Sequence, residues 1–172
     1  MEIRQFIRDI EGFPKPGIVF KDITPLLANG PVFHHVVDCF AERYRGRVDM
    51  VLGVESRGFI VGAPVAYALG CGLALARKRG KLPAEIFTAE YALEYGTDSL
   101  EIHRDAFGRP CRVLLIDDLL ATGGTAAATV QLIELLGGEV VECAFVIELA
   151  FLKGRERLQP HPVFSLVQYE AE

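Results

Sequence analysis

The sequence is 172 residues long, 51% hydrophobic and carries a formal net charge of −5, enough chain to bury a core as one domain without metals or cross-links. The acidic balance argues against nucleic acid as a main partner. Its four cysteines, Cys39, Cys71, Cys111 and Cys143, lie far apart with no Cys-x-x-Cys and no paired histidines, so neither a disulfide framework nor a zinc site is suggested, and a reducing cytoplasm is the expected location.

In chain order, Met1 to Ile10 places Ile3, Phe6, Ile7 and Ile10 on one helical face, which predicts an amphipathic helix packed on the domain or on a second subunit. Its charges interrupt any apolar run of the kind a signal peptide needs. From Gly12 to Pro25, prolines and glycines surround Ile18-Val19-Phe20, which predicts a docked loop with Phe20 as a core or docking residue. Val32, Phe33, Val36, Val37, Phe40 and Tyr44 recur at helical spacing, and His34 and His35 within that helix read as solvated or capping side chains.

Val48 to Val54 reads as a buried strand ending in Glu55-Ser56-Arg57-Gly58, a turn that would open at the carboxyl end of a parallel sheet. Arg57 offers charge-assisted donors to an anion there, although Glu55 and Arg57 would equally make a surface ion pair. No charged residue occurs from Phe59 to Ala76, a length that raises the question of a membrane span, but Gly62, Pro64, Gly70 and Gly72 break the run. A buried helix (58–69) and a buried strand (73–76) of a βαβ unit are expected instead. Arg77-Lys78-Arg79-Gly80-Lys81 is the densest cationic cluster, placed either to serve a local anion or as a solvated charge run. From Ile86 to Ile102 two short strands flank a polar loop at 94–98 that would suit a flap, with Glu94 on its own reading as a solvated residue.

The segment VLLIDDLLATGGT, residues 113–125, organises the rest. Val113 to Ile116 is what a strand buried on both faces needs, Asp117 and Asp118 close it, and a helix is predicted from about Gly124. Gly123 and Gly124 let backbone amides approach a ligand, while Thr122 and Thr125 add hydroxyls at a helix N-terminus, a cradle for phosphate. The carboxylates would repel that phosphate, so they should face vicinal ribose hydroxyls or Mg²⁺, which implies a ribose 5-phosphate. The bland alternative is an aspartate capping the helix and a Gly-Gly that only turns the chain. Beyond it, Gly137-Gly138 ends the helix, Val140 to Ile147 is another buried strand, Glu148 closes that strand and reads as structural or as a support behind the site, Lys153 to Leu158 as a short charged helix and Val163 to Val167 as a final strand.

This segment resembles the 5-phosphoribosyl pyrophosphate (PRPP) motif of the type I phosphoribosyltransferases. Residues 13–25 (FPKPGIVFKDITP), 55–59 (ESRGF), 77–83 (RKRGKLP), 91–95 (YALEY) and 152–156 (LKGRE) are similar to segments of the adenine phosphoribosyltransferases. The resemblance implies a three-layer α/β fold: a mostly parallel central sheet flanked by helices, with a small N-terminal hood. It implies one domain over 1–172, with hood and base segment at 1–30, core at 48–150 and a flexible loop at 90–100. It further implies an enzyme of purine salvage that makes AMP and pyrophosphate from adenine and PRPP with Mg²⁺, as a cytoplasmic homodimer that binds no nucleic acid or membrane.

By the same resemblance, Val19, Phe20, Lys21 and Leu119 hold the base, with the Phe20 ring on its face and the backbone of Val19 and Lys21 on its edge. Asp117, Asp118 and residues Ala121, Thr122, Gly123, Gly124 and Thr125 hold the ribose phosphate. Glu55, Ser56 and Arg57 form the pyrophosphate loop, often with a cis peptide before the serine, and Arg77, Lys78, Lys81 and Tyr95 complete the PRPP site. Glu94, Arg57 and Asp118 are the expected catalytic residues, Glu94 handling the purine proton, and Mg²⁺ is held through the pyrophosphate rather than by protein side chains. Two alternatives stand beside this reading: transfer to another purine such as hypoxanthine or guanine, and a PRPP- or purine-binding regulator without turnover.

Overall fold

The computed structural model describes residues 1–92 and 96–171. Its elements are β1 (Arg8–Glu11), β2 (Val19–Asp22), α1 (Thr24–Ala28), α2 (Gly30–Tyr44), β3 (Met50–Val54), α3 (Arg57–Leu69), β4 (Gly72–Lys78), β5 (Ile86–Ala92), β6 (Thr97–His103), β7 (Arg112–Leu120), α4 (Gly124–Leu135), β8 (Glu139–Leu149) and β9 (Val163–Tyr169). Among these residues the main sheet has the order β5-β6-β4-β3-β7-β8-β9. Its neighbours from β4 through β9 run parallel, while β6 joins β4 and β5 antiparallel.

The apolar run of β7 explains its central place. Val113 and Leu115 point into the cluster beneath α4, with Ile133 and Phe145, while Leu114 and Ile116 point into the opposite cluster, with Val61 and Val65 of α3 and Phe40 of α2. A strand covered by helices on both faces has no polar side to keep, hence the unbroken hydrophobic run. The βαβ unit predicted across residues 48–76 is present as β3, α3 and β4, and no helix among the described residues is long and apolar enough to cross a membrane. Asn29 caps α2 by accepting a hydrogen bond from the Val32 amide at 3.2 Å, and Gly137, at φ 77°, turns the chain after α4.

Three local expectations are corrected. The N-terminal helix is absent: Ile3–Phe6 forms one short 3-10 turn, and Arg8–Glu11 is a strand paired antiparallel with Val19–Asp22. Ten residues of helix are marginal on their own, and strand pairing satisfies the same backbone groups while still burying Ile3 and Ile7. The docked loop at 12–25 accordingly contains β2. Asp117 and Asp118 do not close β7, which runs on to Leu120 because β8 keeps pairing with it as far as Glu148. Finally, the segment after β8 is 3-10 rather than α-helical, at Ala150–Leu152 and Gly154–Leu158.

Away from the sheet end, α2 is fastened to β8 by Arg43, whose Nε and Nη2 donate to the buried Glu142 carboxylate at 2.9 and 3.0 Å. Burial opposes ionisation of Glu142, but Arg43, with help from Tyr44 and the Arg47 charge, outweighs it and holds the carboxyl below the usual glutamate range. A depressed carboxyl contributes stability above its unfolded-state value and loses it as pH falls through the folded one. Glu142→Gln is therefore expected to cost about 1–2 kcal/mol at pH 7 and markedly less near pH 3.5, read from urea unfolding at the two pH values.

Candidate active site

The carboxyl ends of β3 and β7 and the start of α4 enclose a cleft of about 450 Å³, lined by residues 55–57, 117–126, Lys78, Tyr91, Leu100 and Phe145. Its floor is the 121–125 loop. Gly123 adopts φ 84° with no side chain capping α4, so the first helical amides are left to a ligand. A Cβ on Gly123 would overlap the Gly154 carbonyl oxygen, so only glycine fits there.

Along one wall Asp118 is buried and takes a short ion pair from Arg57 Nε, while its backbone amide donates to Asp117 Oδ1 at 2.8 Å. Burial and the Asp118 charge push the Asp117 carboxyl well above the usual aspartate range, despite that amide and Arg57. Asp117 is thus short of positive charge and hydrogen-bond donors, as a side chain facing hydroxyls or a cation would be. Gly58 makes the arrangement sterically possible, since a Cβ there would stand 2.9 Å from both Asp117 Oδ1 and the Ile116 carbonyl oxygen.

Glu55 and Ser56 are joined by a cis peptide bond, as the resemblance implies. Glu55 does not pair with Arg57: it accepts from the Lys78 amide at 2.7 Å and from Arg77 Nη2 at 3.4 Å. Burial opposes its ionisation, and those two donors keep its carboxyl below the usual range regardless. Of the cationic cluster, Lys78 lines the cleft, its ammonium 3.4 Å from Asp98, whereas Arg77 and Lys81 do not line it. Arg77 lies beside the cleft, with a buried Nε that has no partner among the described residues.

Phe20 reaches this site through Arg57, whose guanidinium lies 5.4 Å from its ring centroid, and Phe13 packs edge-on against it at 5.2 Å. Lys21 points its side chain elsewhere, buried on Asp9 at 2.9 Å and over the Tyr169 ring at 4.3 Å. The pairing of Gly12 N with Ile18 O at 2.8 Å sets the antiparallel alternation. It follows that the backbone groups of Val19 and Lys21 face the open edge of the hairpin. Leu119 lines the cleft.

Glu94 and Tyr95 lie outside the described residues. Sequence reasoning missed Tyr91, which lines the cleft, donates to Asp98 Oδ2 at 3.2 Å and comes within 3.6 Å of a Cβ built on Gly124. It also missed Gly154, buried against the cradle. Tyr91 had a signal, a hydroxyl near the end of a strand beside the polar loop; Gly154 falls in the family-like segment 152–156, but its contact with the cradle shows only in the fold. Among the described residues no three potential metal-ligating side chains cluster.

Comparison with known proteins matches the phosphoribosyl transferase domain over residues 24–168. The adenine phosphoribosyltransferase of Chloroflexus aurantiacus is 60% identical over 169 residues, 98% of each chain. The crystal structure of the Thermoanaerobacter pseudethanolicus enzyme superposes with a TM-score of 0.92 at 48% identity, covering 98% of both chains. That of the Saccharomyces cerevisiae enzyme, complexed with adenine and an iminoaltritol bisphosphate, gives 0.93 at 41% identity over 96% of both. The domain match over residues 24–168, with a relative at 60% identity and a superposing structure that each cover 98% of the chain, makes this chain a member of the phosphoribosyltransferase domain family, in its adenine phosphoribosyltransferase branch.

Proposed function

We propose that the chain transfers the 5-phosphoribosyl group of PRPP to adenine, giving AMP and pyrophosphate. The observation that carries this reading is the convergence on one cleft of an uncapped helix start, a carboxylate pair and Arg57, with the Phe20 ring against the same guanidinium. The relatives' names, and the adenine bound to the yeast enzyme, support adenine as the base.

In this reading the amides and hydroxyls of 121–125 hold the 5-phosphate, and Asp117 and Asp118 accept from the ribose hydroxyls. With the sugar fixed at both ends, displacement at the anomeric carbon needs no covalent nucleophile, and the carboxylates favour the positive charge that develops on the ring. Arg57, Lys78 and the amides of 55–57, with Arg77 and Lys81 close by, take up the negative charge of the departing pyrophosphate. The edge of adenine is read by the free backbone groups of Val19 and Lys21, with Phe20 and Leu119 on its faces. Glu94 is assigned the purine proton, and Tyr95 a place on the loop over residues 90–100, by resemblance alone. The residues fit Mg²⁺ bound chiefly through the pyrophosphate oxygens, since the unbalanced Asp117 offers one hard oxygen donor rather than a cage. When bound, the ion would neutralise the leaving group.

Residues 1–172 are read as one domain, whose 1–30 segment closes the base side. The exposed apolar row on α3 and β4, Ile60, Tyr67, Leu73 and Leu75, supports a homodimer. Free thiols at all four cysteines suit a cytoplasmic location.

With PRPP and Mg²⁺, chromatography is expected to find AMP from adenine and no nucleotide from hypoxanthine or guanine; turnover only of an oxopurine would overturn the base assignment. Asp118→Asn, which leaves Arg57 without its counter-charge, is expected to lower kcat/KM by about a hundredfold. Light scattering is expected to give a dimer that Tyr67→Glu combined with Ile60→Glu converts to monomer, and a monomeric parent chain would remove the dimer from this reading.

A further inference from the structure

Glu148 is 1% exposed and lies outside the cleft, yet it is among the most heavily bonded side chains of the protein. Its carboxylate accepts from Arg155 Nε and Nη2, each at 2.6 Å, from Ser165 Oγ at 2.7 Å and from Gln168 Nε2 at 3.2 Å. The Arg155 hydrogen bonds, with Ser165 and Gln168, overcome burial and hold the carboxyl below the usual range. In register it stands beside Leu120, the residue before the cradle. Arg155 follows Gly154, and Gly154 is the backbone on which the cradle rests. A Cβ there would overlap the Ala121 carbonyl oxygen and stand 3.1 Å from the Gly123 amide nitrogen. Lys153 just before it is held at φ 55°, a left-handed conformation that a lysine keeps only when its surroundings impose it. Leu158, 1% exposed, anchors the far end of the same segment.

We infer that the Glu148–Arg155 ion pair is a positioning device for the 5-phosphate cradle: it fixes Gly154 against Gly123 and Ala121 so that the amides of 121–125 stay convergent. A bidentate guanidinium–carboxylate contact fixes orientation as well as distance, which a supporting contact of this kind requires. The inference rests on the assignment of 121–125 to the phosphate.

The test compares Glu148→Gln, Arg155→Lys and their double variant with a cradle control, Thr122→Ala combined with Thr125→Ala, in the full chain. The readouts are kcat, KM for PRPP and for adenine, calorimetric affinity for AMP and for pyrophosphate, and Tm. Loss of the clamp is expected to raise the KM for PRPP and the Kd for AMP by about tenfold while pyrophosphate affinity and the KM for adenine stay unchanged. The double variant should be no worse than the more severe single. A lowered Tm with unchanged PRPP and AMP affinity, or equal weakening of AMP and pyrophosphate, would overturn the inference. A control that raises the KM for PRPP while the clamp variants do not sinks the clamp alone; a control that leaves it unchanged sinks the cradle assignment, and the clamp with it. Should Glu148→Gln fail to fold, Arg155→Lys and Arg155→Gln carry the same comparison.

Discussion

Asp117 and Asp118 stand side by side near the carboxyl end of β7, and the electrostatic cost of that placement is met from several sides. Arg57, at the first position of α3, neutralises Asp118. The Asp118 amide folds back on Asp117. What is left over is an Asp117 carboxyl that burial and its neighbour keep reluctant to ionise until a ligand supplies donors or a cation. The glycine at 58 is a consequence of the same constraint, because α3 must come close enough for Arg57 to reach the strand.

Arg57 then serves two neighbours. Its guanidinium faces Asp118 and also the Phe20 ring, so the carboxylate wall and the N-terminal hairpin share one side chain. Glu55, free of Arg57, instead gathers the Lys78 amide and Arg77 at the end of β3. Charge is therefore partitioned around the cleft: acid on the β7 wall, basic side chains around Glu55, amides in the 121–125 loop. That order matches the charges of the proposed substrate.

Much of this was legible in the residues. The β7–α4 segment declared itself because a doubly buried strand and a glycine cradle each need a distinct composition, and both occur in register from Val113 to Thr125. The βαβ unit was readable through its glycine and proline punctuation. The N-terminal strand was not, since Ile3, Phe6, Ile7 and Ile10 fit a helical face as well as they fit a short turn and a strand, and only the distant partner Val19–Asp22 decides. The extent of β7 depended on β8, which the run of apolar letters does not record. Gly154 and the Lys21 side chain, over Tyr169, act through neighbours far away in sequence, and their roles belong to tertiary structure.

The anchorage of Lys21 has a consequence for the order in which the protein is assembled during synthesis. The β1–β2 hairpin leaves the ribosome well before its partner, because the ring that receives Lys21, and Arg4 at 4.6 Å from its centroid, belongs to Tyr169 on β9. Domains fold as their segments become available during elongation. The sheet from β3 to β8 can form on the nascent chain, but the hairpin carrying Phe20 has no final seat until β9 emerges. The hairpin wall of the cleft is completed only after β9, although its own residues are made before those of the sheet.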